Sequence, residues 1–244
     1  MPDLIVLDVE MHYGEQTDLI HPAVVRGGGY NVLVDCGYVG SLHKIEEALQ
    51  AQGIAPQSIT HIILTHQDHD HVGAAGAYKR KYPSVRILAS AIETPYIDGT
   101  QKSLRLTQAE EMQDSLPPEM KAFGLAFCNL LRSVEPVQID QPLNDGEILP
   151  FGGGCHIMAT PGHTPGHISL YLPRIDTIIC GDAIALEKGV PTIANPQFTL
   201  NLIDAQSSMQ RILSSSVKTI LCYHGGLYTL PQNGMKYSSE QHHD

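Results

Sequence analysis

One six-residue segment limits this chain more than any other feature. After the apolar run Ile62-Ile63-Leu64 comes Thr65-His66-Gln67-Asp68-His69-Asp70-His71-Val72-Gly73, and five of the six residues from His66 to His71 can bind a metal. So dense a set of imidazoles and carboxylates is costly to pack unless a cation neutralises it. Three further segments repeat the design, an apolar strand ending in a Gly-containing turn with a metal-capable side chain. They carry His163, in Thr160-Pro161-Gly162-His163-Thr164-Pro165-Gly166-His167; Asp182, after Ile178-Ile179-Cys180-Gly181; and His224, after Ile220-Leu221-Cys222-Tyr223. Strand ends on one edge of a sheet can converge on one site. A donor set of imidazole and carboxylate without thiolate is that of an open catalytic site, not of a structural zinc site. His163 or His224 taken alone reads as an ordinary packed histidine; the four segments together do not.

The 244 residues suffice for a substantial core. Fifteen Lys and Arg against 26 Asp and Glu give a net charge of −11, which argues against the basic face that tracks a nucleic-acid backbone. No apolar run approaches the roughly 20 residues of a bilayer span. The N-terminal residues lack a basic region and a long apolar core, so no secretory signal is read and cytoplasmic residence is the expectation. Five scattered cysteines without CxxC spacing read as small buried hydrophobes.

Apolar patterning predicts short strands over 4–9, 24–26 and 31–34, with Gly27-Gly28-Gly29 as a turn. A helix follows from Ser41 as N-cap through Leu42, Ile45 and Leu49 to a stop at Gly53. Then come a strand over 60–64 and a helix over 74–81. Between residues 90 and 135 the strand rhythm stops. There Thr107 with Glu110 spells a capping box, and Met120, Phe123, Phe127 and Leu130 keep helical spacing, giving two short helices inserted into a β framework. Such stripes are usually core, so packing on the sheet is expected ahead of a role as a lid. Strands resume around 148, 155–159, 169–172 and 177–180. Asp204 reads as the cap of a helix carrying Met209, Ile212 and Leu213, and 218–223 as a last strand. Residues 1–231 thus form a single domain, followed by a polar tail, 232–244, in which His242 and His243 are solvated.

In the order of these motifs, H-x-D-x-D-H, then His, Asp and His, the chain resembles the metallo-β-lactamase superfamily. The resemblance runs from Val32-Leu33-Val34-Asp35-Cys36-Gly37 to His224-Gly225-Gly226. It implies an α/β fold, a four-layer αβ/βα sandwich with its site where the two sheets meet, here with the helical insertion at about 90–135. It also implies two divalent ions per chain, zinc first, with iron or manganese as alternatives. His66 and His163 would belong to the first ion, Asp70, His71 and His224 to the second, and Asp182 would bridge. Asp68 stands where the family has its second His. A carboxylate also coordinates, and flavodiiron proteins, distant relatives, carry Glu there, so Asp68 is kept as a first-site ligand with the adjacent His69 as rival. His167 is expected to support a turn or a neighbouring ligand, and Asp35 either to orient a ligand or to form a turn. Counting +4 for two ions, −3 for Asp68, Asp70 and Asp182 and −1 for a hydroxide, the centre totals zero where the His pattern would total +1. That predicts a less acidic bound water and a bias toward harder metals.

The chemistry implied is hydrolysis, with a metal-bound hydroxide attacking an ester-like carbon and Asp70 moving a proton. Glyoxalase II enzymes, which resemble this core, add a C-terminal helical region, whereas 20 residues follow His224 here. Homoserine-lactone lactonases place a Tyr three residues after the bridging Asp, where this chain has Ala185. Small-molecule lactones, esters, thioesters, β-lactams and phosphodiesters remain as substrates, with no nucleic-acid or membrane partner expected. The other reading is a di-iron redox protein resembling the flavodiiron core, motivated by Asp68 and dependent on a partner that supplies electrons.

Overall fold

Strands buried on both faces read as continuous apolar runs, and in this chain alternate residues feed different cores. Ile63 packs with Val32, Val34, Leu88, Leu170 and Leu221 between two sheets, while its neighbours Ile62 and Leu64 pack outward with Ile45, Leu49 and Tyr78. The same alternation holds on the other side. Ile179 and Leu221 face the space between the sheets, whereas Ile178, Cys180, Ile220 and Cys222 face Ile212 on the far side.

The computed structural model describes residues 3–13 and 16–231; the tail with His242 and His243 lies outside the described residues. The elements begin β1 (Asp3–Val6), β2 (Val9–Tyr13), β3 (Gln16–Ile20), β4 (Ala23–Gly27), β5 (Tyr30–Val34), α1 (Leu42–Ala51), β6 (His61–Leu64), α2 (His69–Val72), α3 (Ala75–Lys81) and β7 (Arg86–Ser90). The helices α4 (Thr94–Ile97), α5 (Leu104–Met112) and α6 (Lys121–Arg132) make the insertion. After them come β8 (Gln141–Leu143), β9 (Ile148–Leu149), β10 (Cys155–Ala159), β11 (Ile168–Leu172), β12 (Thr177–Gly181), β13 (Ala185–Glu187) and β14 (Val190–Thr192). The chain closes with α7 (Leu202–Leu213), β15 (Thr219–Cys222) and β16 (Gly226–Thr229).

Two six-stranded sheets form, ordered β1-β4-β5-β6-β7-β8 and β16-β15-β12-β11-β10-β9, with β2–β3 and β13–β14 as separate hairpins. Pairing is parallel from β5 through β8 and between β12 and β15. Helices α1 and α3 cover the outer face of the first sheet and α7 that of the second, which gives the αβ/βα four-layer sandwich. All five cysteines are buried and unbridged. Among the described residues no helix is long and apolar enough to cross a membrane.

The structure departs from the sequence reading at several ends. The apolar stretch at 4–9 splits at Leu7, and Val9 opens the hairpin β2–β3, whose polar strands carry little apolar signal. Strand β16 pairs antiparallel with β15, so 218–223 is not the last strand. The helix read as capped by Asp204 starts earlier: Asn201 Oδ1 accepts from the Ile203 and Asp204 amides at 3.1 and 3.2 Å. Thr107 is no cap either. It lies inside α5, where its hydroxyl donates to the Ser103 carbonyl one turn back at 3.1 Å.

The face of α6 is also rotated from expectation. Phe123 is 67% exposed, while Gly124, Cys128 and Leu131 are buried and Phe127 partly so. Gly124 decides this, because a Cβ there would lie 2.4 Å from Leu116 Cδ1; close approach selects the smallest residue over the largest apolar one. Replacing Phe123 by Ala is therefore expected to change stability by no more than about 0.5 kcal/mol. Leu131→Ala should cost about 2–5 kcal/mol. Urea unfolding of both variants checks the rotation, and the reverse order of costs would contradict it.

Candidate metal centre

The turns after β6, β10, β12 and β15 deliver their polar side chains to one place. Donor atoms of Asp70, His71, Asp182 and His224 lie within 4.8 Å of one another, and so do those of His66, Asp68 and His163. Asp182 faces both groups. Its Oδ1 is 3.3 Å from His71 Nε2 and 3.7 Å from His224 Nε2, and its Oδ2 is 3.5 Å from His163 Nε2. All seven residues singled out in the sequence are thus brought together. His69 falls in neither group; its ring packs edge-to-face with Tyr38 and Phe127 at centroid distances of 5.4 and 5.6 Å.

Buried partners aim these side chains from behind. Asp35, with φ 61°, turns the chain after β5 and also pairs with His71 Nδ1 at 2.9 Å, so both roles weighed for it are real. The same carboxylate accepts from the Thr65 amide at 2.8 Å, which ties the end of β6 to β5. His167 works on Asp182: its Nε2 accepts from the Asp182 amide at 3.0 Å while Nδ1 meets Thr160 Oγ1 at 2.8 Å. Between them Gly181 has φ 49°, and a Cβ there would sit 2.8 Å from His167 Nε2, so both backbone and space demand glycine. Tyr223 donates to the Asp70 carbonyl at 2.6 Å and lays its ring 3.9 Å from that of His71.

The donors fit cations. His66 Nε2, Asp68 Oδ1, His71 Nε2 and Asp182 Oδ1 are buried without a hydrogen-bond partner, an expense that bound ions would remove. Burial disfavours a charged His71, yet the carboxylates of Asp35, Asp182 and Asp70 outweigh it and raise its pKa well above the usual range. Against burial, Asp182, Asp18 and Asp70 push His224 up to about 10. Burial would raise Asp182, but His71 and His224 hold it well below the carboxylate range.

Two residues that the sequence did not single out complete the centre. Glu93, buried in the turn before α4, accepts from the Gln67 amide and side chain, both at 3.0 Å, and from the Gly166 amide at 2.7 Å. It therefore locks the insertion to the loops bearing His66 and His163, and its own burial pushes its carboxyl pKa up. No spacing marks it. Arg105, at the start of α5, pairs with Asp68 at 2.5 Å. Its charge was missing from the sequence-level count, and adding it restores the +1 of an all-His centre, so the expected bias to a less acidic water and harder metals loses its basis. A signal existed: a carboxylate in a histidine's place calls for a counter-cation nearby.

A cavity of about 430 Å³ opens onto the centre, walled by Phe127, Phe198 and Leu186 and by the acids Asp18 and Glu187. Arg105 is the one Lys or Arg among the described residues lining it.

The profile of the metallo-β-lactamase superfamily matches residues 19–224. The "probable metallo-hydrolase YflN" of Bacillus subtilis (strain 168) is 28% identical over 224 residues, covering 86% of this chain and 79% of that protein. A hydroxyacylglutathione hydrolase of Synechococcus sp. is 25% identical over 143 residues, 56% of this chain and 40% of that enzyme. The crystal structure of a metallo-β-lactamase family protein from Thermus thermophilus, TTHA1429, matches with a TM-score of 0.71 at 25% identity, covering 93% of this chain and 75% of that one.

Metal ligation needs neutral imidazoles, whereas His71 and His224 carry protons at neutral pH in the metal-free state. Loading at pH 7 should therefore release these two protons per chain, and a further one where a bound water ionises. Apparent affinity should rise with pH, up to the value of about 10 reached by His224. Calorimetric heats in buffers of different ionisation enthalpy count the protons; an affinity flat between pH 6 and 9 would contradict the assignment.

Proposed function

Because the chain belongs to the metallo-β-lactamase superfamily, we propose that it is a binuclear metal-dependent hydrolase of an ester-like, lactone, thioester or related small-molecule bond. The observation that carries this reading is the pair of donor groups joined by Asp182, with buried His66 Nε2, His71 Nε2 and Asp182 Oδ1 lacking a hydrogen-bond partner. His66, Asp68 and His163 would hold one divalent ion, and Asp70, His71 and His224 the other, with Asp182 shared. When bound, such ions polarise a carbonyl oxygen and make water a nucleophile near neutral pH. Zinc suits this donor set, as do iron and manganese.

The chain's own groups supply the rest. Asp70 reaches the cavity with Oδ2 3.2 Å from His224 Nε2 and Oδ1 3.5 Å from His69 Nδ1. Burial would raise its pKa, but His71, His224 and His69 outweigh it and keep the carboxylate ionised, as a proton acceptor must be. Phe127 and Phe198, with ring centroids 5.8 Å apart, offer an apolar wall for an acyl group. Asp18 and Glu187 at the cavity and an Arg105 already paired with Asp68 favour an uncharged acyl substrate over a phosphodiester. The likeness to a hydroxyacylglutathione hydrolase keeps acyl compounds in view without fixing one.

Chelation is expected to abolish hydrolysis, and zinc, iron or manganese to restore it, in a panel of lactone, thioester, β-lactam and phosphodiester substrates. A preference for the phosphodiester, or full activity without metal, would sink the reading. Within the active class, Phe127→Ala should raise KM about tenfold through the lost apolar contact, with kcat less affected. An unchanged KM would remove Phe127 from the substrate wall.

A further inference from the structure

Arg105 is unexplained by hydrolysis as such. It is 3% exposed and enters the donor group of His66, Asp68 and His163 from α5. Its Nε and Nη2 both donate to Asp68 Oδ2, at 3.1 and 2.5 Å, and Nη2 stands 3.4 Å from His163 Nε2. That same Oδ2 lies 3.0 Å from His163 Nε2 and 3.6 Å from His66 Nε2, so it is the oxygen turned toward the imidazoles. The guanidinium is not free to leave. Nη1 donates to the Phe198 carbonyl and to Gln108 Oε1, and the Phe198 ring sits 5.3 Å from Cζ. The other donor group differs: among the described residues no Lys or Arg pairs with Asp70 or Asp182.

We infer that Arg105 is a resident cation that makes the two metal positions unequal, so that the position of Asp70, His71, Asp182 and His224 fills first and tightly and that of His66, Asp68 and His163 fills second and weakly. The inference rests on the metal-centre reading above. A second cation in the first group must share Asp68 with a fixed positive charge and is repelled by it, whereas the other group offers two carboxylates with no Lys or Arg paired to them among the described residues. Occupancy of the weak position then follows the supply of divalent metal, and Arg105 sets the threshold. It acts as a positioning residue, through Asp68.

The test is calorimetric addition of zinc to the metal-free full chain. Two steps at least about tenfold apart in affinity are expected, with His224→Ala removing the tight step and His163→Ala the weak one. Arg105→Gln should tighten the weak step by at least about tenfold through loss of a like charge beside the ion, a gain that mere loosening of the fold would not produce, while Arg105→Lys keeps it weak. Both ions entering native protein in a single step, or an Arg105→Gln variant whose weak step is unchanged or weaker, overturns the inference and leaves the metal centre standing. Native protein that binds no zinc overturns both. If Arg105→Gln fails to fold, the one-step or two-step result in the native chain decides.

Discussion

A cluster of buried carboxylates and imidazoles is costly to assemble, and the surrounding fold holds it in place. His66 Nε2, Asp68 Oδ1, His71 Nε2 and Asp182 Oδ1 are buried there without a hydrogen-bond partner, as befits atoms suited to cations. The framework resists because the segments that bear the donors follow strands packed on both faces. Ile62, Ile63 and Leu64 cannot shift without disturbing two cores at once, and the same is true of Ile178 to Cys180 and of Ile220 to Cys222. Stability in the sandwich is thereby converted into precision at its edge.

A second layer of polar groups transmits this rigidity to individual atoms. Asp35 sets the ring of His71, His167 sets the backbone of Asp182, and Glu93 sets the loops of His66 and His163. None touches the cavity floor as a donor to a metal, yet each fixes which nitrogen or oxygen of a neighbour faces inward. The insertion is part of this layer. Its helices α5 and α6 have a small core of their own, from Leu106, Ala109, Cys128 and Leu131, and use it to carry Arg105 inward and to hold Phe127 over the cavity.

The pairing of Arg105 with Asp68 links that insertion to the electrostatics of the centre. Asp68 brings a negative charge among the imidazoles; an arginine supplied from a helix 37 positions further on compensates it. The two residues make sense only together, because a buried carboxylate and a buried guanidinium are each costly without the other.

The residues of the candidate centre were legible because imidazoles and carboxylates placed just after apolar strands make His66, Asp68, Asp70, His71, His163, Asp182 and His224 stand out in one dimension. The double-sided apolar strands were legible for the same reason, as periodicity reports burial. Other features were not. The separate hairpins β2–β3 and β13–β14 are too short to signal themselves, and the cap at Asn201 lost to Asp204, a neighbour with an equal local claim. The rotation of α6 was hidden because Gly124 faces inward for its lack of a side chain, a property that hydrophobicity does not record. Asp68 called for a counter-cation, but neither Arg105 nor Glu93 could be singled out, since their partners Asp68, Gln67 and Gly166 are distant in sequence. Sequence alone determined which atoms could bind metal and which strands would be buried, because both are set by local chemistry. Only the tertiary structure decided the charge of the centre and the shape of its cavity, because those depend on which distant side chains the packing brings within a few ångströms.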